Sequence, residues 1–230
     1  MNDQPMLRVE FHCHSIYSPD SLNTPRALVR EARRRGIDRL VITDHNRTGG
    51  ALAARELDPE LIIVGEEIKT TCGELLAAFV QEQIPRGLEP MEAIRRLREQ
   101  GAFVSVSHPF DLQRDGWPRP DLLEIMPHVD AIEVFNSRCT LAATNEQAAA
   151  FAAEHGLAGT VGSDAHSLME LGRSTMLLPY FSNAEELKAV IRRGEARTRL
   201  SSPWVHWTSV WARIYKGFRP FEEARQAEIG

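Results

Sequence analysis

Short apolar runs and amphipathic helical segments alternate along almost the whole chain. Runs with the length or alternation of β-strands occupy residues 7–11, 38–43, 61–64, 74–80, 102–106, 130–134, 158–161 and 174–178. Segments with apolar residues three and four positions apart, as on one helix face, occupy residues 25–36, 50–57, 90–100, 142–155 and 183–193. This order predicts an α/β fold built on a parallel sheet, either open or closed.

The residues between these segments support their boundaries. Thr24 stands before Pro25, and Asn183 stands before the last helical segment. Thr and Asn are common N-caps, and proline suits the first helical turn. Residues 111–121 are rich in Pro and Asp and predict a loop.

Histidines and carboxylates follow the ends of five predicted strands. They are His12 and His14, His45, Glu67, His108, and Asp164 with His166. In a β/α barrel the carboxyl ends of the strands converge on one face, so we expect these side chains to lie together. The other three histidines, His128, His155 and His206, lie outside this pattern and are interpreted as ordinary surface or core residues.

This set of side chains has the chemistry of a metal site. Imidazole and carboxylate ligands without cysteine suit Zn, Mn or Fe. The set is larger than the roughly four ligands that one zinc ion takes. The sequence therefore predicts two to three divalent metal ions sharing a carboxylate.

Charge and composition narrow the class of protein. The formal net charge of −5 over 230 residues offers no overall positive field for nucleic acid. An odd set of three cysteines at no metal-like spacing suggests free thiols in a reducing compartment. Because the N-terminus does not read as a signal peptide and the longest aliphatic run is residues 61–64, we expect a cytoplasmic protein that does not engage membranes.

Aromatic residues recur near the C-terminus at three- and four-residue steps. They are Trp204, Trp207, Trp211, Tyr215 and Phe218. This spacing predicts one apolar helix face. We expect residues 1–200 to form the barrel and residues 201–230 to contain a helix packed on it through this face, with a dimer seam or a lid as alternatives.

Taken together, the strand-end motifs resemble the PHP family, the polymerase and histidinol phosphatase superfamily. The motifs are Phe11-His12-Cys13-His14-Ser15 with Ser18-Pro19-Asp20, Thr43-Asp44-His45, Gly65-Glu66-Glu67-Ile68, Ser107-His108-Pro109, Glu133-Val134-Phe135-Asn136 and Gly162-Ser163-Asp164-Ala165-His166. They occur in the family's order over roughly residues 7–180. The resemblance implies a distorted (β/α)7 barrel, up to three metal ions and phosphoester hydrolysis.

The resemblance also implies which residues hold metal. The implied ligands are His12 and His14 with Glu67 and Asp164 at one ion, Glu67 bridging to a second ion with His108, and Asp20, His45 and His166 around a third. Many relatives have His after the Gly that follows the Glu motif, whereas Glu74 stands here after Gly73. Glu74 is either a carboxylate ligand replacing imidazole or a surface residue at the start of a strand.

For the reaction, the resemblance implies attack on phosphorus by metal-bound hydroxide. His166 or His45 would protonate the leaving group if it is not committed to metal. Arg138, at a strand end, is either a bidentate phosphate ligand or a solvated arginine of the loop. The expected substrate is a small phosphomonoester or a nucleotide, with an oligonucleotide exonuclease activity also open. Nucleic acid is thus expected only as a substrate, and the oligomeric state is not predicted.

Two other classes of protein remain open from the sequence. An amidohydrolase-like barrel also uses His-x-His at its first strand, but it usually carries a bridging lysine, and no predicted strand here ends in one. A metal-binding module without activity is the second alternative, and it is disfavoured because nearly every ligand position is filled.

Overall fold

Nine strands form one continuous sheet in the computed structural model, which describes residues 6–114 and 116–218. The strands are β1 (Met6–Cys13), β2 (Arg39–Ile42), β3 (Ile62–Lys69), β4 (Glu74–Ala78), β5 (Phe103–Val106), β6 (Ala131–Asn136), β7 (Ala158–Gly162), β8 (Thr175–Pro179) and β9 (Glu195–Arg197). Their order across the sheet is β7-β6-β5-β4-β3-β2-β1-β8-β9.

The sheet curls until its first and seventh strands meet. Cys13 at the end of β1 forms a parallel bridge to Ala165, just beyond β7. The backbone N–H of His14 donates to the Ala165 carbonyl at 2.9 Å. Strands β1–β7 therefore form a nearly closed barrel, which confirms the predicted fold class.

The direction of β4 differs from the prediction of an all-parallel sheet. β1, β2 and β3 run parallel, as do β5, β6 and β7, but β4 is antiparallel to both β3 and β5. Only residues 70–73 join β3 to β4, and a parallel connection needs a crossover of a dozen or more residues. The start of β4 therefore lies at the carboxyl ends of the other barrel strands.

Seven α-helices accompany the sheet in the described part of the chain. They are α1 (Pro25–Arg34), α2 (Gly49–Leu57), α3 (Pro90–Glu99), α4 (Arg119–Ile125), α5 (Ala142–Glu154), α6 (Ala184–Val190) and α7 (Val205–Phe218). The Thr24 hydroxyl accepts from the Ala27 N–H, and the Asn183 side chain accepts from the Glu186 N–H, so both predicted caps are confirmed.

The segment predicted as a loop, residues 111–121, is partly helical. A short 3-10 turn covers Leu112–Arg114, and α4 begins at Arg119. Prolines are frequent in loops, but Pro120 lies in the first turn of α4, where its missing N–H costs no helical hydrogen bond.

Alternate residues of the strands supply two apolar clusters. In β2, Leu40 and Ile42 belong to the cluster that contains Leu28 and Ala32 of α1. Val41 between them belongs to a second cluster. Successive side chains of a strand point to opposite faces, so both faces of the sheet are packed, and the polar site is left to the rim of the barrel.

The C-terminal helix α7 contacts the barrel through a different face from the predicted one. Trp204, Trp207 and Trp211 are 74%, 66% and 61% exposed, whereas Val205 and Ala212 are 8% and 2% exposed. Small and polar side chains make the contact, so these three tryptophans do not dock on the barrel as predicted. The side chain of Phe218 and residues 219–230, which belong to the same prediction, lie outside the described part of the chain. Within the described residues, no helix is both long enough and apolar enough to cross a membrane.

Candidate metal centre

The end of β1 places two imidazoles side by side at the rim of the barrel. His12 Nε2 lies 3.1 Å from His14 Nε2. Each of these nitrogens lies 3.4 Å from Glu67 Oε2, at the end of β3. Asp164 Oδ1, after β7, lies 3.1 Å from His14 Nε2 and 3.5 Å from His12 Nε2. The four side chains assigned to the first ion thus surround one point.

A second group of side chains adjoins the first on the side of the α7 helix. Asp20 Oδ1 lies 3.3 Å from His166 Nε2 and 3.6 Å from His45 Nε2. The other ring nitrogen of His45, Nδ1, lies 3.0 Å from Glu67 Oε2. The structure therefore brings Asp20, His45 and His166 together, and Glu67 connects them with the His12 group.

The third group lies on the other side of Glu67. His108 Nε2 lies 3.3 Å from Glu67 Oε1 and 3.4 Å from Glu74 Oε2. Glu74 is the first residue of β4, and the antiparallel direction of β4 brings it to this rim. Its carboxylate points into the cluster, which favours the ligand interpretation of Glu74 over the surface one.

Glu67, and not its neighbour Glu66, faces the cluster. Alternation along β3 sends the two side chains in opposite directions. The Glu66 carboxylate accepts a hydrogen bond from the Ile84 N–H at 3.0 Å. Burial raises the pKa of Glu66 to about 7. Glu67 is held on the site side by the Ser107 hydroxyl, which donates to its Oε1 at 2.8 Å.

Glu133 of β6 is a buried carboxylate outside the predicted ligand set, and it supports two of the histidines. Its Oε1 lies 2.9 Å from His12 Nδ1, and its Oε2 accepts from the His108 N–H at 2.9 Å. Carboxylates behind metal-ligating histidines fix the ring orientation. The place of Glu133 in a strand-end motif is the sequence feature that could have identified it.

Asp44, within the Thr43-Asp44-His45 motif, is a second supporting carboxylate. It accepts from the Ser15 N–H and from the hydroxyls of Ser15 and Ser18. The Ser18 oxygen lies 3.1 Å from His14 Nδ1. Asp44 therefore fixes the loop that carries His14 and does not itself join the cluster of ring nitrogens.

Three arginines lie beside the cluster, Arg114, Arg138 and Arg213, and only Arg138 was predicted. Arg213 Nη2 lies 2.8 Å from Asp20 Oδ2. Arg114, in the segment predicted as a loop, pairs with Asp164, and its Nε lies 2.9 Å from Asp111 Oδ2. Arg138, predicted as a phosphate ligand, is 5% exposed. Its Nε lies 3.0 Å from Glu170 Oε1. The structure thus brings Arg114 to the site directly and gives Arg138 a buried carboxylate partner.

Burial and mutual charge together shift the pKa values of these groups. Burial disfavours ionisation of Glu67, but the imidazolium charges of His12 and His45 hold its pKa well below the usual range. Burial, with the charges of His166 and His45, lowers the pKa of His14 to about 3. A neutral His14 beside an ionised Glu67 has the protonation states that metal coordination requires.

Burial opposes protonation of His12 and His45, but neighbouring carboxylates raise the pKa values of both rings, so these two rings would release a proton on binding metal. Burial and the neighbouring Glu67 charge raise the pKa of Glu74.

Asp164 adopts a left-handed backbone conformation with φ of 51°, which is uncommon for residues other than glycine. Such strained positions concentrate at functional sites. Here the strained residue carries a carboxylate shared by His12, His14 and His166.

The donor set fits divalent metal ions. Three overlapping groups have ligand atoms within 4.8 Å of one another: His12, His14 and Asp164; His14, His45 and His166; and His45, Glu67 and Glu74. In the described part of the chain, the buried oxygens Asp20 Oδ1 and Glu67 Oε2 accept no hydrogen bond from the protein. Buried polar atoms without partners are rare unless water or an ion satisfies them, so these oxygens are suited to metal.

The fold and this centre define a β/α barrel with a nitrogen- and oxygen-lined metal site at its rim. The sequence profile described as the PHP domain matches residues 10–111, and the PHP-associated profile matches residues 142–196. The chain belongs to the PHP family, whose members include metal-dependent phosphoesterases, and the predicted family is therefore confirmed.

Known proteins share the sequence or the fold of this chain. An uncharacterized protein of Methanocaldococcus jannaschii is 37% identical over 172 residues, which are 73% of this chain and 69% of that protein. A two-domain protein of Bacteroides vulgatus, described as containing a predicted PHP-like metal-dependent phosphoesterase, superposes with a TM-score of 0.71 at 24% identity. The match covers 86% of this chain and 66% of the Bacteroides protein.

The lesion-specific endonuclease EndoQ of Pyrococcus furiosus has the same fold at lower similarity. Its TM-score is 0.60 at 15% identity, over 84% of this chain and 58% of the endonuclease. At this identity the likeness concerns the fold alone. The chain spans little more than half of that enzyme.

Proposed function

We propose that this protein hydrolyses small phosphomonoesters or nucleotides at the cluster around Glu67. The observation that carries the proposal is the sharing of one carboxylate, Glu67, by His12, His14, His45 and His108. A carboxylate in that position suits two or more ions held close together. Divalent ions so held lower the pKa of bound water and neutralise charge on a phosphate.

The residues of this chain would divide the work of holding metal. His12, His14, Glu67 and Asp164 form one ligand group, His108 with Glu67 and Glu74 a second, and Asp20, His45 and His166 a third. Glu133 and Ser107 keep His12 and Glu67 in position through 2.9 and 2.8 Å contacts.

A cavity above the cluster can receive the phosphoester. It measures about 400 Å³ and is lined by the proposed metal donors other than His12 and His14, together with Arg114, Arg138, His206 and Arg213. Arginine recognises phosphate oxygens with paired N–H donors. A cavity of this size suits one small ester, and its cationic side chains suit the phosphate.

Proton transfer to the leaving group is assigned to His166 or His45, whichever is not committed to a third ion. Both rings line the cavity, and both lie beside Asp20. A histidine within hydrogen-bond reach of a leaving oxygen is a common general acid. Side chains of α7, including Ser209 and Val210, form one wall of the cavity.

The proposal is tested by metal content and turnover in the same preparations. Protein purified without added metal is assayed with Mn²⁺ against phosphomonoesters, nucleotides and short oligonucleotides. The Asp164→Ala/His166→Ala variant should lose both bound metal and turnover. A matched control, Glu124→Ala/His128→Ala, changes two exposed residues and should retain both.

Absence of metal and of turnover on every phosphoester would overturn the proposal. Full turnover in the Asp164→Ala/His166→Ala variant would overturn the assignment of the site. The best substrate in the panel would separate a phosphatase from an oligonucleotide exonuclease.

A further inference from the structure

A large groove lined by cationic side chains adjoins the metal centre. It measures about 1020 Å³, and its cations are Arg47, Arg86, Arg213 and Lys216. Among the described residues that line this basic groove, none is Asp or Glu. The chain as a whole has a formal charge of −5. The positive charge of the groove is therefore a local feature that the fold creates.

The basic groove is continuous with the cavity over the metal centre. His45 and Arg213 line both spaces. Arg213 Nη2 lies 2.8 Å from Asp20 Oδ2, which places this guanidinium at the junction. A molecule bound at the metal centre therefore has a direct path into the groove.

The cations reach the groove from separate parts of the chain. Arg47 follows the His45 loop, Arg86 lies in the connection between β4 and α3, and Lys216 is on α7. A solvated helix face would place its charges on one element. Convergence from separate segments on one space is instead what a binding site requires.

Lys216 is tied into the wall of the groove. Its Nζ donates to the Ile16 carbonyl at 2.6 Å and also to the Ser18 carbonyl. Burial lowers the pKa of Lys216 to about 8. A partly desolvated ammonium beside Arg213 is stabilised by an anion in the same space. The remaining wall includes Tyr17 and Leu52, which offer apolar surface to an uncharged spacer.

We propose that the basic groove binds a second phosphate group of the substrate, on the far side of the ester from the metal centre. The inference rests on the proposed phosphoesterase function and specifies its substrate class as compounds with two separated phosphates. Arginine side chains suit this role because their forked donors match phosphate oxygens. The volume of the groove exceeds that of one phosphate and leaves room for the spacer.

A length series of simple ligands tests the inference. Alkanediol bisphosphates with two to eight carbons are compared with alkyl monophosphates of equal length as inhibitors of p-nitrophenyl phosphate hydrolysis by the Mn²⁺-loaded protein. One range of lengths should inhibit at least tenfold more tightly than the matched monophosphates. Titration calorimetry of the same pairs measures binding without turnover.

Two variants assign the effect to the groove. Arg47→Gln and Arg86→Gln change exposed residues and should each reduce the ratio of bisphosphate to monophosphate affinity at least fivefold. Arg30→Gln removes an exposed arginine of α1 outside the groove and should leave that ratio unchanged. The bisphosphate advantage should also fall as salt is raised, since exposed charges are screened.

The outcomes distinguish the two proposals. If p-nitrophenyl phosphate and the wider panel are not hydrolysed, the proposed function fails, and calorimetry still reports on the groove. If bisphosphates and monophosphates bind equally at every length, or if the advantage survives the combined Arg47→Gln/Arg86→Gln change, the inference about the groove is wrong.

Discussion

Glu133 illustrates how a residue that contacts no substrate can control a metal centre. Its two oxygens are divided between the His12 ring and the His108 backbone, at 2.9 Å each. It also accepts from the Asn136 side chain at 3.0 Å. One buried carboxylate therefore positions a histidine from each of two ligand groups.

We expect Glu133→Gln to weaken metal binding by about 10- to 100-fold, the usual effect of removing a carboxylate behind a histidine ligand. The amide keeps the size of the side chain but loses the charge that favours a donating His12 Nδ1–H. Competition with a chelating dye measures the affinity. Glu124→Gln, at an exposed position, is the control, and equal affinity in the two variants would contradict the role of Glu133.

At Glu74 the sequence departs from the family's motif, and only the fold shows where this side chain lies. Its carboxylate lies 3.4 Å from His108 Nε2, a position suited to a metal ligand. A carboxylate in place of imidazole makes the site harder, and harder sites favour Mn or Fe over Zn.

At the scale of elements, α7 is attached to the barrel by polar contacts. Arg138 Nη2 donates to the Val205 carbonyl at 2.8 Å and to the Ser209 hydroxyl at 2.9 Å. The same guanidinium pairs with Glu170, which is fully buried. Arg138 therefore connects the barrel, the loop after β7 and the C-terminal helix.

We expect Arg138→Met to lower the free energy of unfolding by about 3–5 kcal/mol, because Glu170 is left as a buried charge without its partner. Urea unfolding measures the loss. The Arg138→Met/Glu170→Gln variant should recover part of it, since the uncompensated charge is removed.

An exposed ion pair provides the comparison for this prediction. Arg95 lies 2.8 Å from Glu92 on the surface of α3, and exposed pairs contribute little to stability because water screens them. Arg95→Met should therefore have little effect. Equal losses for Arg95→Met and Arg138→Met would show that burial of the Arg138 pair is not the cause.

At the scale of the whole molecule, metal binding and stability are coupled. The cluster joins the ends of β1 and β3 with residues beyond β2, β5 and β7. In the metal-free protein, nitrogens and carboxylates from all these elements crowd together. Ions that bind only the folded chain stabilise it by mass action.

Removal of metal should therefore lower the thermal midpoint. Free metal at a thousand times its dissociation constant contributes about 4 kcal/mol, which corresponds to about 10 °C for a chain of this size. Differential scanning calorimetry with chelator, and then with Mn²⁺ restored, measures the change. The Asp164→Ala/His166→Ala variant should respond much less, and an equal response would place the stabilising metal elsewhere.

The sequence by itself determined the family, the barrel and the side chains of the cluster. Ligands such as His12, His45 and Asp164 could be predicted because they follow apolar strands, and strand ends meet at one rim by the geometry of the barrel. To predict each of these ligands, it was enough to recognise a strand, the position where it ends and the type of residue that follows.

Only the tertiary structure decided the rest. The direction of β4 brought Glu74 to the rim, and the folding of the segment predicted as a loop brought Arg114 to Asp164. The docking face of α7 was set by Arg138 and Glu170, not by its tryptophans. These features depend on partners distant in sequence, and residue periodicity carries no information about such partners.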